Sequence, residues 1–116
     1  MDTNKIKTEA IFDRDECDAS FEVYLNDIYI GGALAHLYDD EIEIELLSIK
    51  EEFRGKGYGS KAFKQYIELA TKEGIKFIKG DAQIHRIAFY KRLGAKFECR
   101  VPGDETLIND VFYIDL

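Results

Sequence analysis

The chain has 116 residues, 46% hydrophobic and 34% charged, with a formal net charge of −7 at pH 7. That length suits a single domain, residues 1–116, able to bury a core without disulfide or metal support, and the acidic balance argues against nucleic acid as a partner. Cys17 and Cys99 are too few for a disulfide framework and lack partners at metal-binding spacing, while no apolar run approaches the roughly 18 residues of a membrane helix.

The opening Met1-Asp2-Thr3-Asn4-Lys5-Ile6-Lys7 has no apolar stretch of the signal-peptide kind, so a cytoplasmic protein with free thiols is expected. Ile6 to Phe12 reads as a first strand, stopped by the polar run Asp13 to Asp18. Phe21 to Leu25, the turn Asn26-Asp27 and Ile28 to Ile30 read as a hairpin. Gly31-Gly32 suggests a bulge before the strand continues through Ala33 to Tyr38. Glu41 to Leu46 alternates strictly, which predicts one acidic and one apolar face, and Leu47-Ser48-Ile49 carries the strand onward. A helix is expected from about Gly59 to Glu73, with Ala62, Phe63, Tyr66, Ile67 and Ala70 on one face and Gly74 as its stop. Ile75 to Ile78 reads as a short strand, Ile84 to Leu93 as a second helix ended by Gly94, and Lys96 to Arg100 and Val111 to Leu116 as closing strands. The sum is a mixed α/β sheet.

Between the fourth strand and the first helix lies Phe53-Arg54-Gly55-Lys56-Gly57-Tyr58-Gly59-Ser60. Glycines on alternate positions leave several backbone N–H groups free to converge on one anion, and the helix behind them adds its positive end. The surrounding charge agrees. Residues 51–96 carry 11 Lys/Arg against 5 Asp/Glu, whereas residues 1–50 carry 4 against 13 and residues 97–116 carry 1 against 5. An anionic ligand would meet the basic third of the chain. The order Gly59-Ser60-Lys61 is wrong for a nucleotide P-loop. The Gly55-x-Gly57-x-Gly59 spacing, placed mid-chain, is wrong for a dinucleotide fingerprint.

Arg54-x-x-Gly57-x-Gly59 does resemble the acetyl-CoA signature R/Q-x-x-G-x-G/A of the GCN5-related N-acetyltransferases. Phe89-Tyr90-Lys91-Arg92-Leu93-Gly94-Ala95-Lys96-Phe97 is similar to that family's F-Y-x-x-x-G-F region, with Ala95 and Lys96 displacing the phenylalanine after the glycine. Ala82-Gln83-Ile84-His85 looks like the A-Q-x-H run of small bacterial members. The resemblance, to a small bacterial or phage-type member, implies an α+β fold built on a mainly antiparallel, splayed sheet with two principal helices. It further implies acetyl-CoA as acyl donor, no metal, and a parted sheet in which the backbone of Leu47 and Ile49 pairs with the cofactor's pantetheine arm. The diphosphate would lie on the N–H groups of Gly55, Lys56, Gly57, Tyr58, Gly59 and Ser60. Arg54 would shape the turn, Lys56 and Arg92 could meet phosphates, and Gln83 stands where relatives often carry a cofactor-contacting Asn.

The chemistry sets further demands. A lysine-type amine is only about a thousandth neutral near pH 7.4, so a carboxylate, directly or through water, should take its proton. Glu45, then Glu43, are the candidates, each also readable as a solvated strand residue. A backbone N–H near Leu47 or Ser48 would serve the oxyanion. Tyr90 would donate to the leaving thiolate, although it also reads as a core aromatic. His85 is a reserve acid or base, and His36 reads as an ordinary strand residue. Only Asp13 to Asp18 joins the first two strands, too short for the two helices that relatives insert there. An open acceptor site rimmed by acids follows, suited to a cationic amine such as a protein lysine, a protein N-terminus or a polyamine, unless an oligomer partner supplies the wall. Monomer and homodimer both remain open. The alternative function is a catalytically weak acetyl-CoA-binding sensor or interaction module.

Overall fold

The computed structural model describes residues 4–83, 86–97 and 109–116. Seven strands form one sheet: β1 (Ile6–Ala10), β2 (Phe21–Leu25), β3 (Ile28–Tyr38), β4 (Glu41–Ile49), β5 (Phe77–Gln83), β6 (Lys96–Phe97) and β7 (Asn109–Asp115), in the order β1-β2-β3-β4-β5-β7-β6. Helix α1 (Tyr58–Lys72) links β4 to β5, and α2 (Ile87–Arg92) follows β5. All pairings are antiparallel except β4 with β5. A parallel pair needs a crossover connection, which α1 supplies.

Both helices join one buried cluster. Phe63 of α1 meets Phe21 of β2 and Tyr90 of α2 edge-on, and Tyr90 stacks on Phe112 of β7 with ring centroids 3.9 Å apart. Tyr66 is fully buried and donates its hydroxyl to the Ala19 carbonyl at 2.5 Å. Gln65 covers the free edge of β1, accepting from Thr8 N at 2.9 Å and donating to the Ile6 carbonyl at 2.8 Å. An edge strand so capped offers less backbone to another chain. The opposite face of β1–β4 carries no helix among the described residues, and Leu34, Tyr38 and Leu46 are exposed there.

The sequence expectations hold in outline, with shifted ends. β1 stops at Ala10, leaving Ile11 exposed and Phe12 stacked on Tyr66. Asn26 and Asp27 both take positive φ (49° and 70°), the backbone of a two-residue hairpin turn. Asp13 and Asp18 exchange both backbone hydrogen bonds (2.8 and 2.9 Å), so the β1–β2 link is indeed one short turn. The bulge expected at Gly31-Gly32 falls one residue earlier: Val23 pairs with Gly31 and Tyr24 with Tyr29, which leaves Ile30 extra. The glycines serve closeness instead. A Cβ at Gly31 would lie 2.3 Å from the Ser48 carbonyl oxygen, and one at Gly32 would lie 2.3 Å from that of Phe21.

The larger correction concerns β4. Its alternation does not run through Leu46, because Leu34 pairs with Leu46 and Ala35 with Ile44, leaving Glu45 as a bulge. Side chains swap faces there. Glu43 and Glu45 point outward as expected, Leu46 follows them to the exposed face, and Leu47 turns inward. β5 starts later than the sequence suggests, at Phe77, and α2 starts at Ile87. Residues beyond Phe97 in the expected strand Lys96 to Arg100 lie outside the described residues.

Candidate active site

β4 and β5 pair only over Glu41–Ile44 and Phe77–Gly80. Beyond the last pair, Ile44 with Gly80, the two strands carry on to Ile49 and Gln83 without pairing. Gly80 marks the fork: a Cβ there would sit 2.9 Å from the Phe112 ring and 3.0 Å from the Ile44 carbonyl oxygen. The fork opens into a cleft of about 350 Å³ on the helix side of the sheet, lined by Leu47, Ile49, Phe53, Arg54, Gly55, Gly57, Tyr58, Gly59, Ser60, Arg86, Phe89 and Arg92.

The mouth of the cleft is the glycine turn. After a short 3-10 turn at Glu51–Phe53, Gly55 and Gly57 take left-handed backbone angles (φ 75° and 81°), and Gly57 is the residue that caps α1. No side chain caps the helix and its first turn holds no acidic residue. The amide donors that open any helix are therefore left by the protein's side chains for a ligand. A Cβ at Gly55 or Gly57 would meet nothing within 4 Å, so backbone angle, not space, selects glycine at both. Arg54 closes the turn from beneath, its Nε donating to the Ile49 carbonyl at 2.6 Å.

Most of the residues singled out from sequence assemble here. Leu47, Ile49, Arg54, Gly55, Gly57, Tyr58, Gly59, Ser60 and Arg92 all line the cleft. Lys56 is exposed and does not line it, and the Ser48 side chain borders a different, larger groove on the outer face. Gln83 ends β5 with its backbone paired to Asn109, and His85 lies outside the described residues.

Tyr90 is buried behind the cleft. Burial raises its phenol above the ordinary value, opposed by the nearby Arg86 guanidinium. Arg86 Nη1 in turn donates to the Leu47 carbonyl at 2.6 Å, bridging α2's approach to β4. Sequence reasoning passed over Arg86, Phe53 and Phe89. The signal for Arg86 was its place four residues before Tyr90, one helical turn away. His36, read from sequence as an ordinary strand residue, is one, and its Nε2 lies 2.7 Å from Glu45 Oε2. Adjacent strands brought the two together on the outer face.

The outer groove, about 630 Å³, is bounded by Glu9, Glu22, Leu34, Leu46, Ser48 and Lys50 among others. It is the larger hollow, yet it offers no converging backbone donors. The glycine turn and three arginines line the smaller cleft, and Leu46 and Leu47 back the two hollows against a single strand. Among the described residues, no group of three or more His, Cys, Asp or Glu could hold a metal ion, and no helix is long and apolar enough to cross a membrane.

The sequence profile of the acetyltransferase (GNAT) family matches residues 2–95. The fold is similar to that of a Bacillus subtilis acetyltransferase solved in complex with CoA, at 16% identity and TM-score 0.73, covering 98% of this chain and 99% of that one. It is similar to an IAA acetyltransferase from Bacillus cereus (13% identity, TM-score 0.75, 97% of this chain and 100% of that one). The ribosomal-protein-S18-alanine N-acetyltransferase of Escherichia coli is a third (13% identity, TM-score 0.73, 94% and 91%). No curated protein matches the chain in sequence.

Proposed function

This chain belongs to the acetyltransferase (GNAT) family, and we propose that it moves the acetyl group of acetyl-CoA to a primary amine by direct attack within a ternary complex. The observation that carries this reading is an uncapped helix start behind two left-handed glycines, opening onto the place where β4 and β5 part. The residues present fit such a ligand. Open space over Gly55 and Gly57 suits a diphosphate, and the Leu47 and Ile49 carbonyls face the cleft, where Arg86 and Arg54 hold them until an arm takes their place. When bound, acetyl-CoA supplies the activated acyl carbon.

The backbone of Leu47 and Ile49 would pair with the pantetheine arm, and the amides from Gly55 to Ser60 would hold the diphosphate, with Arg92 beside it. The Tyr90 phenol, raised by burial against the opposing effect of the nearby Arg86 guanidinium, keeps its hydrogen and would donate it to the departing sulfur. Glu45 is the preferred proton acceptor for the amine, with Glu43 next to it on the same exposed face. Because His36 pairs with Glu45, the two form a carboxylate–imidazole couple, through which the amine proton can leave directly or by way of water.

The acceptor in this reading is a cationic amine, such as a protein lysine, a protein N-terminus or a polyamine. Three features support it: the short Asp13–Asp18 turn in place of a wall, the exposed acids on β4, and the open apolar groove next to them. Carboxylates around an open site draw cations and speed encounter. The test is release of free CoA against a panel of amines and lysine- or N-terminus-bearing peptides, run beside calorimetry of acetyl-CoA. Saturable binding with release on cationic acceptors is expected. Binding with no release on any acceptor would favour the sensor role instead, and no binding at millimolar concentration would end the reading.

A further inference from the structure

Arg86 occupies a position that a diphosphate site does not require. It lies just before α2, half-buried, with one nitrogen on the Leu47 carbonyl at 2.6 Å and its guanidinium near the Tyr90 phenol. Three cations line the cleft, Arg54, Arg86 and Arg92. Arg54 is held at the exposed glycine turn by the Ile49 carbonyl, and Arg92 is exposed on the last turn of α2. Arg86 alone of the three joins β4 to Tyr90, at the end of the cleft away from the glycine turn.

We propose that Arg86 is the group that receives the sulfur of CoA, its guanidinium leaving the Leu47 carbonyl when the pantetheine arm enters and pairing with the thiolate. The inference rests on the CoA reading above. The Leu47 carbonyl cannot serve the arm fully while a guanidinium holds it, yet the exchange conserves hydrogen bonds, since an amide N–H of the arm replaces the arginine. Five donors in a fixed fork let Arg86 turn to the sulfur while staying beside Tyr90. A half-buried cation favours the thiolate over the thiol, and the neighbouring phenol adds a donated hydrogen bond. In the transfer, the amine nitrogen bonds to the acyl carbon and the carbon–sulfur bond breaks with its electron pair passing to sulfur. The amine's proton leaves to the carboxylate side or water, and solvent later protonates the thiolate. Tyr90 then acts partly as the residue that positions Arg86.

The test compares CoA with desulfo-CoA by calorimetry, and follows the thiol of bound CoA by its ultraviolet thiolate absorbance across pH. Wild-type protein should prefer CoA, the preference growing as the thiol ionises, and should lower the pKa of the bound thiol. Arg86→Gln should weaken CoA about tenfold while sparing desulfo-CoA, the scale of one charge-assisted hydrogen bond. Arg86→Lys keeps the charge and should retain most of the thiol shift. Equal affinity of the wild type for CoA and desulfo-CoA, or a bound thiol whose pKa is lowered as far in Arg86→Gln as in the wild type, overturns the assignment. Were both ligands ignored by the wild type, the CoA reading itself would fall. Tight binding of desulfo-CoA without any preference for sulfur would sink the role of Arg86 alone.

Discussion

Replacing Gly57 by alanine tests the cradle where its geometry is most demanding. Gly57 sits at φ 81° and immediately precedes α1. A Cβ there meets nothing within 4 Å, so crowding contributes nothing and the cost is purely conformational. Holding an L-residue in the left-handed region costs about 1–2 kcal/mol. For a domain of this size that is a fall of about 4–8 °C in the unfolding midpoint. The turn can escape the cost by rotating away, but its N–H groups then lose their common aim. Each charge-assisted hydrogen bond to a diphosphate is worth about 1.5–3 kcal/mol, so one lost bond weakens CoA tenfold or more.

Gly59→Ala is the matched control. Gly59 is helical, and its added Cβ would lie 3.6 Å from Ile49 and Phe89 side-chain atoms, ordinary contact. Alanine exceeds glycine by about 0.8–1 kcal/mol inside a helix, so this variant should hold or raise the midpoint. Thermal unfolding with and without CoA, together with calorimetry, separates the two substitutions. The reasoning fails if Gly57→Ala matches the wild type in both midpoint and CoA affinity, or if Gly59→Ala loses as much stability as Gly57→Ala.

Tyr90→Phe keeps the stack on Phe112 and should preserve acetyl-CoA affinity, since the thioester carries no thiolate, while lowering turnover at least tenfold; unchanged turnover in a steady-state assay retires its role. Glu45→Gln and Glu43→Gln, made separately, should differ, the first moving the acid limb of the pH–rate profile; a profile indifferent to both would leave water as the proton acceptor. Gly80→Ala should cost about 1–3 kcal/mol by overpacking, since its Cβ would press on Phe112 and the Ile44 carbonyl, and denaturant unfolding that shows no loss contradicts the tight fork. Burial pushes the Tyr66 phenol well above its ordinary value of 10.0, so the folded state holds that proton more firmly than the unfolded chain. The resulting stabilisation is full below about pH 10 and is lost as pH rises beyond it. Tyr66→Phe should flatten this alkaline decline in melting temperature, and an identical slope in both proteins would refute the assignment.

Local periodicity made much of this structure readable. The buried positions Ala62, Phe63, Tyr66 and Ala70 of α1 follow from helical spacing, and Gly74 and Gly94 end their helices in left-handed conformation as their positions suggest. The glycine turn was legible because its chemistry is written in consecutive residues. What escaped depends on strand register. A bulge adds one residue without a compositional mark, so Leu46 reads as core although it is exposed. The pairing of His36 with Glu45 and the reach of Arg86 to Leu47 join residues 9 and 39 apart, and no spacing rule foretells which carbonyl a long side chain will find.

That one extra residue organises the site. Both side chains and backbone edges alternate along a strand, so inserting a residue reverses the two together. Lys50 N donates to the Ile30 carbonyl at 2.8 Å, which places its edge toward β3. Leu47 and Ile49 consequently present their carbonyls away from β3, into the cleft where Arg86 and Arg54 take them. Without the bulge at Glu45, Leu47 would face solvent with its carbonyl turned to β3, and Leu46 and Ser48 would present their backbone to the gap between β4 and β5 instead. Glu45, outward by the ordinary alternation of β4, lies two residues from the Leu47 carbonyl. A proton acceptor and the backbone that would bind the acyl donor thus lie on opposite sides of a single strand, an arrangement that lets an amine approach from the acidic face while the donor lies on the basic one.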